Sequence, residues 1–178
     1  MNYLETAIAE LIRSNVDKRH PFRTMVLGTS GGDYPQLRTV VNRKFSKNDG
    51  ITFYTDSRSP KVNQILANPQ VSLLFYHPKK KLQLRILGIA NFLDQSSDQY
   101  RQALQSIKQS PSAKDYTTAL PPGSHIDSVE YAYGDTLNAA VVQVELKEIE
   151  VLLLDRDGHQ RRLYTIEDGD WMEQVLVP

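Results

Sequence analysis

Arg38, Ser59 and Lys61 are the residues whose chemistry most constrains what this chain does. A phosphate monoester near neutral pH carries about one and a half to two negative charges and three acceptor oxygens, so its site needs several donors and a fixed cation. Ser59-Pro60 reads as a helix start, with serine able to cap free amides and proline suited to the first helical position. Lys61 follows in the first turn, where amides and the helix dipole already favour an anion, and Arg38 on a nearby strand offers a planar fork for a bidentate clamp. With Arg38-Thr39-Val40-Val41-Asn42-Arg43, Phe53-Tyr54-Thr55-Asp56 and Gln83-Leu84-Arg85, the stretch Asp33 to Ala90 reads as a cradle for a phosphorylated ring cofactor. The same spacing also fits a serine cap beside solvated surface charges.

The elements that position these groups follow from periodicity. On a strand, Arg38, Val40 and Asn42 face one way and Thr39, Val41 and Arg43 the other, so one face can serve a ligand. The strand's main chain would offer amides and carbonyls to the edge of a planar heterocycle, and Gln83 could add an amide. Ordinary barrel strands with charges outside fit the pattern equally. Leu4, Ala7, Ile8, Leu11 and Ile12 predict an amphipathic helix over 2–15, with Glu5, Glu10 and Arg13 off its apolar face. Strands are predicted at 24–29, 35–45, 51–55, 71–76 and 82–92, with a short helix after Ser59 whose inner face is Val62, Ile65 and Leu66. A helix is expected over 97–107, with Tyr100, Leu104 and Ile107 inward. Prolines at 111, 121 and 122 mark 110–135 as a long loop. Residues 139–154 form the longest strand pattern, whose phase slips near Lys147-Glu148 as at a β-bulge, and strands at 160–166 and 171–177 follow. The expected fold is mainly β, an antiparallel barrel or sandwich with peripheral helices, built as a single domain over 1–178.

Composition narrows the function classes. Twenty-one basic and 21 acidic residues balance, which removes any overall electrostatic reason to favour nucleic acid or an anionic membrane. The absence of cysteine excludes disulfides, thiolate zinc and a catalytic thiol, and is compatible with a reducing cytosol. No apolar run approaches the roughly 18 residues of a membrane helix, so a cytoplasmic protein is expected. His20, His77, His125 and His159 stand singly with no metal-ligand spacing, so no metal is expected. His159, in a turn ahead of Arg161-Arg162, is kept as a candidate for an anionic ligand, including one held by a neighbouring subunit; solvated surface arginines are the alternative.

In order and spacing, Arg38-Thr39-Val40-Val41, Phe53-Tyr54-Thr55-Asp56, Ser59-Pro60-Lys61, Asn68-Pro69, Phe75 and Gln83-Leu84-Arg85-Ile86-Leu87-Gly88 resemble the pyridoxamine 5'-phosphate oxidase family of FMN-binding split barrels. The tail from Gly158-His159-Gln160-Arg161-Arg162 to Trp171 looks like that family's C-terminal dimer segment. The resemblance implies an antiparallel split β-barrel of Greek-key type, a homodimer, and FMN in the clefts between subunits. It implies that Arg38, Ser59 and Lys61 hold the phosphate, that Thr39, Val40 and Val41 offer main-chain contacts to the ring, and that Tyr54 and Thr55 line the site. Gln83 would bond the ring or ribityl chain, and Arg161 would approach from the second subunit.

The substrate half departs from the family pattern. Pro60 stands where the family has a basic residue beside the cofactor lysine, Val151 where it has a tryptophan, and Asp157-Gly158-His159 where it has an Arg-x-His pair. Residues 97–124 lack the tyrosine, arginine and serine spacing for a substrate phosphate, leaving Arg43 and His159 as substrate candidates. An FMN-dependent oxidoreductase of an unidentified small molecule is therefore expected. A genuine pyridoxamine or pyridoxine 5'-phosphate oxidase is the alternative, and a non-catalytic flavin- or haem-binding protein, with His125 or His77 as axial ligand, is the reading from another class. A barrel that has lost its cofactor and serves as an interaction module is the last.

Overall fold

A computed structural model describes residues 2–127 and 129–178. Helix α1 (Tyr3–Val16) begins where the Asn2 side chain accepts the Glu5 amide, and it buries Ala7 and Leu11. Ile12, expected inward, is 47% exposed, and Glu10, expected outward, is buried. The apolar face is rotated because Glu10 has its own buried partners, described below. A 3-10 turn, Pro21–Arg23, leads into β1 (Thr24–Thr29) and, past a turn with Gly32 at φ 65°, β2 (Gln36–Val41).

The predicted single strand over 35–45 is in fact two, β2 and β3 (Lys44–Ser46), and the break builds the barrel. β2 pairs with β1, whereas β3 pairs with β4 (Gly50–Asp56). Between them the Asn42 amide donates to the Arg23 carbonyl and the Arg43 amide to the Thr52 carbonyl, both at 2.9 Å. Consecutive amides thus serve opposite neighbours, and the chain changes partner without a loop. The remaining strands are β5 (Gln70–His77), β6 (Leu82–Phe92), β7 (Ala139–Leu153), β8 (Gln160–Glu167) and β9 (Asp170–Leu176), and the sheet order is β2-β1-β5-β6-β7-β4-β3. Its two ends are successive pieces of one bent strand, so the curled sheet is a split barrel whose ring is completed by the covalent chain.

β7 organises the split. Along one edge 142–153 pair with β6; along the other, 139–144 pair with β4 and 148–153 with β8, which continues to β9. The register to β6 shifts between Leu87 and Gly88, leaving Lys147 as an extra residue, the bulge expected from the phase slip. Glycine is required opposite it, since a Cβ on Gly88 would lie 2.4 Å from the Glu145 carbonyl oxygen. Inward residues fill the core, among them Met25, Leu27, Phe53, Leu73, Phe75, Leu84, Ile86, Val142 and Ile149. Helix α2 (Pro60–Ala67) crosses one barrel end, burying Val62 and Ile65; Leu66, expected inward, is 68% exposed because the short crossing covers only one narrow stripe. Helix α3 (Asp98–Lys108) packs Tyr100, Ala103 and Ile107 against the β4–β7 side, with Leu104 only partly covered. No helix among the described residues is long and apolar enough to cross a membrane.

Candidate cofactor site

Arg38, Thr55, Ser59 and Lys61 come together where α2 caps the barrel end. Thr55 is on the inward phase of β4 and Arg38 on the inward phase of β2; at the rim Thr55 meets the start of α2, and Arg38 reaches Gln64 farther along it. Lys61 Nζ donates to Thr55 Oγ1 at 3.0 Å and to Ser59 Oγ at 3.1 Å, and the two hydroxyls lie 3.1 Å apart. Ser59 precedes the helix but its side chain caps no amide, contrary to the expected cap; its hydroxyl is committed to this cluster instead. Arg38 Nη1 donates to Thr29 Oγ1 at 2.6 Å and the Gln36 carbonyl at 3.1 Å, and Nη2 to Gln64 Oε1 at 2.7 Å. Gln64 also accepts from Thr29 at 2.7 Å, so it fixes the arginine fork from the helix side. Burial lowers the Lys61 ammonium from its ordinary value, the Arg38 charge lowers it further, and Asp56 partly offsets both. Burial alone lowers Arg38. Neither cation forms a salt bridge among the described residues. The arrangement suits an anion: two partly buried cations with three hydroxyls beside a helix start.

The other candidates lie elsewhere. Thr39 and Val41 point to the outer face of β2, while Val40 points into the core, which leaves only its main chain accessible. Among the described residues β2 pairs only with β1, leaving its second edge's amides and carbonyls unladdered. Gln83 shares the outer face, but the register Thr39–Val26–Leu74–Arg85 puts three strand spacings, about 14 Å, between β2 and β6. Arg161 is on this face too: its Nη2 pairs with the buried Glu150 at 2.9 Å, Arg85 meets the same oxygen at 2.6 Å, and the Arg161 Nε has no partner. The fold therefore does not bring Gln83 or Arg161 to the Arg38–Lys61 cluster of the same chain. Tyr54 faces away from Thr55, toward α3, with the Arg43 guanidinium 5.3 Å over its ring. Burial raises the Tyr54 phenol. Arg23 lies beside Arg43, and burial and that neighbouring charge lower its pKa. His159 is exposed; its Nδ1 accepts the Asp155 amide at 3.2 Å.

One cluster was not legible in the sequence. Glu10, His20 and His77, from α1, the 3-10 turn and β5, bring ligand atoms within 4.8 Å of one another. Each histidine Nδ1 accepts a backbone amide, His20 from Phe22 at 3.1 Å and His77 from Lys80 at 3.3 Å. Both protons are thereby placed on Nε2, facing Glu10, where a metal would need lone pairs. Lys80 Nζ donates to the other carboxylate oxygen at 2.6 Å. Burial would raise the Glu10 carboxyl, but the hydrogen bonds from Lys80 and His20 and the nearby positive charges outweigh it and hold it below its ordinary value. This is a self-satisfied clamp, and it commits both nitrogens of His77, one of the two histidines that a haem reading would use.

Residues 1–94, just over half of the chain, match the family described as pyridoxamine 5'-phosphate oxidase, FMN-binding domain. The chain belongs to this family. A pyridoxine/pyridoxamine 5'-phosphate oxidase of Zymomonas mobilis is 26% identical over 171 residues, covering 86% of each chain. The enzyme so named from Anaplasma phagocytophilum is 43% identical over 79 residues, 43% of this chain and 37% of that one. Among solved structures, a pyridoxamine 5'-phosphate oxidase-related, FMN binding protein from Nostoc punctiforme superposes with a TM-score of 0.76 at 23% identity, covering 100% of this chain and 99% of that one. PhzG from Burkholderia lata, solved with tetrahydrophenazine-1-carboxylic acid, gives 0.72 at 20% identity over 99% and 89%. These structural likenesses establish the pyridoxamine 5'-phosphate oxidase-like split barrel as the fold. The matched family segment contains the whole Arg38–Lys61 cluster and Gln83, but not Arg161.

Proposed function

We propose that this protein binds FMN by its phosphate at Arg38, Thr55, Ser59 and Lys61, and works as an FMN-dependent oxidoreductase on a small molecule. The observation that carries the reading is the pair of half-buried cations without a carboxylate. Holding like charges together out of water costs free energy that an incoming phosphate would relieve. Bound there, FMN supplies hydride and electron transfer. The chain's own groups bind and orient: Lys61 and Arg38 grip the phosphate, the hydroxyls of Thr55 and Ser59 fix its direction, and the free edge of β2 meets the polar rim of the ring.

The outer barrel face supports a homodimer. Leu37 is 72%, Tyr76 47% and Leu74 38% exposed there, an apolar stretch beside Thr39, Gln83 and Arg161 that a second copy would cover. Arg161 and Gln83, remote from their own chain's cluster, would then serve the cofactor across the seam. Arg43, stacked on Tyr54 with its Nε unpartnered, is the group placed for an anionic substrate end. The names of the relatives at 26–27% identity favour turnover of pyridoxamine 5'-phosphate itself; the acidic Asp157 opposes it by repelling a phosphate.

The test is flavin retention. Purified protein is expected to show FMN absorbance, and Arg38→Ala/Lys61→Ala to lose it while keeping its circular dichroism spectrum. Full retention in the double variant would refute the site, and steady oxidation of pyridoxamine 5'-phosphate would identify the substrate despite Asp157.

A further inference from the structure

Asp56 follows Thr55, whose hydroxyl accepts from Lys61 at 3.0 Å, and among the described residues it is the acidic group whose charge acts on that ammonium; the structure pairs it with a cation. Its side chain, only 4% exposed at the end of β4, is held by Arg58 from two directions, Nη2 to Oδ2 at 2.7 Å and Nε to Oδ1 at 3.1 Å. The Arg58 amide adds a third bond to Oδ1 at 2.8 Å. The same guanidinium donates to the Thr118 carbonyl at 2.8 Å, the Thr118 hydroxyl at 3.2 Å and the Ala119 carbonyl at 3.4 Å. These carbonyls belong to the neck of an excursion that folds back on itself, with the Ala119 amide bonded to the Ala132 carbonyl at 2.8 Å and Thr118 bridged to Tyr133. Arg58 therefore joins three things: the acid beside the anion cluster, the approach to α2, and the Thr118–Ala119 neck.

We infer that Arg58 is a positioning residue for the anion site, neutralising Asp56 so that Lys61 stays free for a phosphate monoester. The inference rests on the phosphate-site reading and adds what keeps that site open. A buried carboxylate near a phosphate opposes binding unless its charge is cancelled, and a bidentate guanidinium cancels it with fixed geometry. Without the guanidinium, the amide bond still anchors Oδ1, but Oδ2 is released and the charge beside Thr55 is no longer cancelled. The carboxylate then competes with the phosphate for the ammonium and repels the phosphate directly.

Two readouts test this: FMN affinity by fluorescence titration, and the Lys61 ammonium pKa by nitrogen NMR on flavin-free protein. Arg58→Ala should weaken FMN at least tenfold and raise the Lys61 pKa. Asp56→Asn added to it should reverse both changes, although the loop clamp stays lost. Arg58→Lys, which keeps the charge without the fork, should fall between, and it serves as the readout if Arg58→Ala does not fold. An unmoved Lys61 pKa in Arg58→Ala, or weak FMN binding that Asp56→Asn leaves uncorrected, would overturn the inference. Wild-type protein that ignores FMN while its Lys61 pKa follows the predicted pattern would sink the flavin reading and leave the role of Arg58 standing.

Discussion

Among the polar clusters that lie at least partly out of water in this molecule, two are built on opposite plans. Around Glu10, the carboxylate is met from every side: Lys80 and Arg13 pair with one oxygen, two imidazoles face the other, and each imidazole is fixed by a backbone amide. Around Lys61, two cations and three hydroxyls converge with no carboxylate in contact. The first cluster has nothing left to bind; the second lacks only an anion. A buried polar group is a better guide to function when its charges fail to balance than when they do.

Removing both cations, Arg38→Ala/Lys61→Ala, should give the largest effect, an FMN dissociation constant raised at least a hundredfold, since hydrogen bonds to charged groups are worth roughly 1.5–3 kcal/mol each. Its unfolding midpoint should change little, which calorimetry would check. Glu10→Ala should do the reverse. Stranding two buried N–H donors and releasing Lys80 should cost about 3 kcal/mol in denaturant unfolding, with FMN affinity within about twofold of wild type. Equal losses of stability and affinity in either variant would erase the contrast.

Acid and base should separate the clusters further. Burial, only partly offset by the Glu10 charge, pushes His77 below its ordinary 6.5, so the unfolded chain takes up a proton that the folded chain resists. Stability should therefore fall as pH drops below about 6.5, and again below the ordinary glutamate value of 4.5 as the depressed Glu10 carboxylate is finally protonated. The anion site should fail at the other extreme. Lys61 loses its proton below the ordinary lysine value of 10.5, so FMN affinity should decline on the alkaline side earlier than for an exposed lysine. Melting curves and flavin titrations across pH would reveal these opposite slopes. The smallest effect is expected from Ser59→Ala, about tenfold or less in affinity, because Thr55 and Lys61 remain paired.

The sequence made most of the strand plan visible because β5 is a short apolar run between turn signals and β6 alternates, and even the Lys147 bulge showed as a slip in phase. It showed Arg38, Ser59 and Lys61 because helix-start chemistry is local. It hid Gln64 and Thr29, which acquire their roles only when α2 crosses β1, although Gln64 does sit three residues after Lys61 on one helix face. The change of partner at Asn42–Arg43 left no mark, since a continuous strand pattern does not say which neighbour each half will find. Glu10 was misplaced for the same reason: its partners His20 and Lys80 are set by tertiary contact, 10 and 70 residues away.

The central claim is that the unbalanced cluster binds the phosphate of a flavin nucleotide, and comparing FMN with riboflavin tests it most directly. Titrated into flavin-free protein, FMN should bind at least a hundredfold more tightly than riboflavin, and in Arg38→Ala/Lys61→Ala that gap should shrink below about tenfold. Equal affinity for the two flavins in the wild-type protein, or a gap that survives the double substitution, would contradict the account.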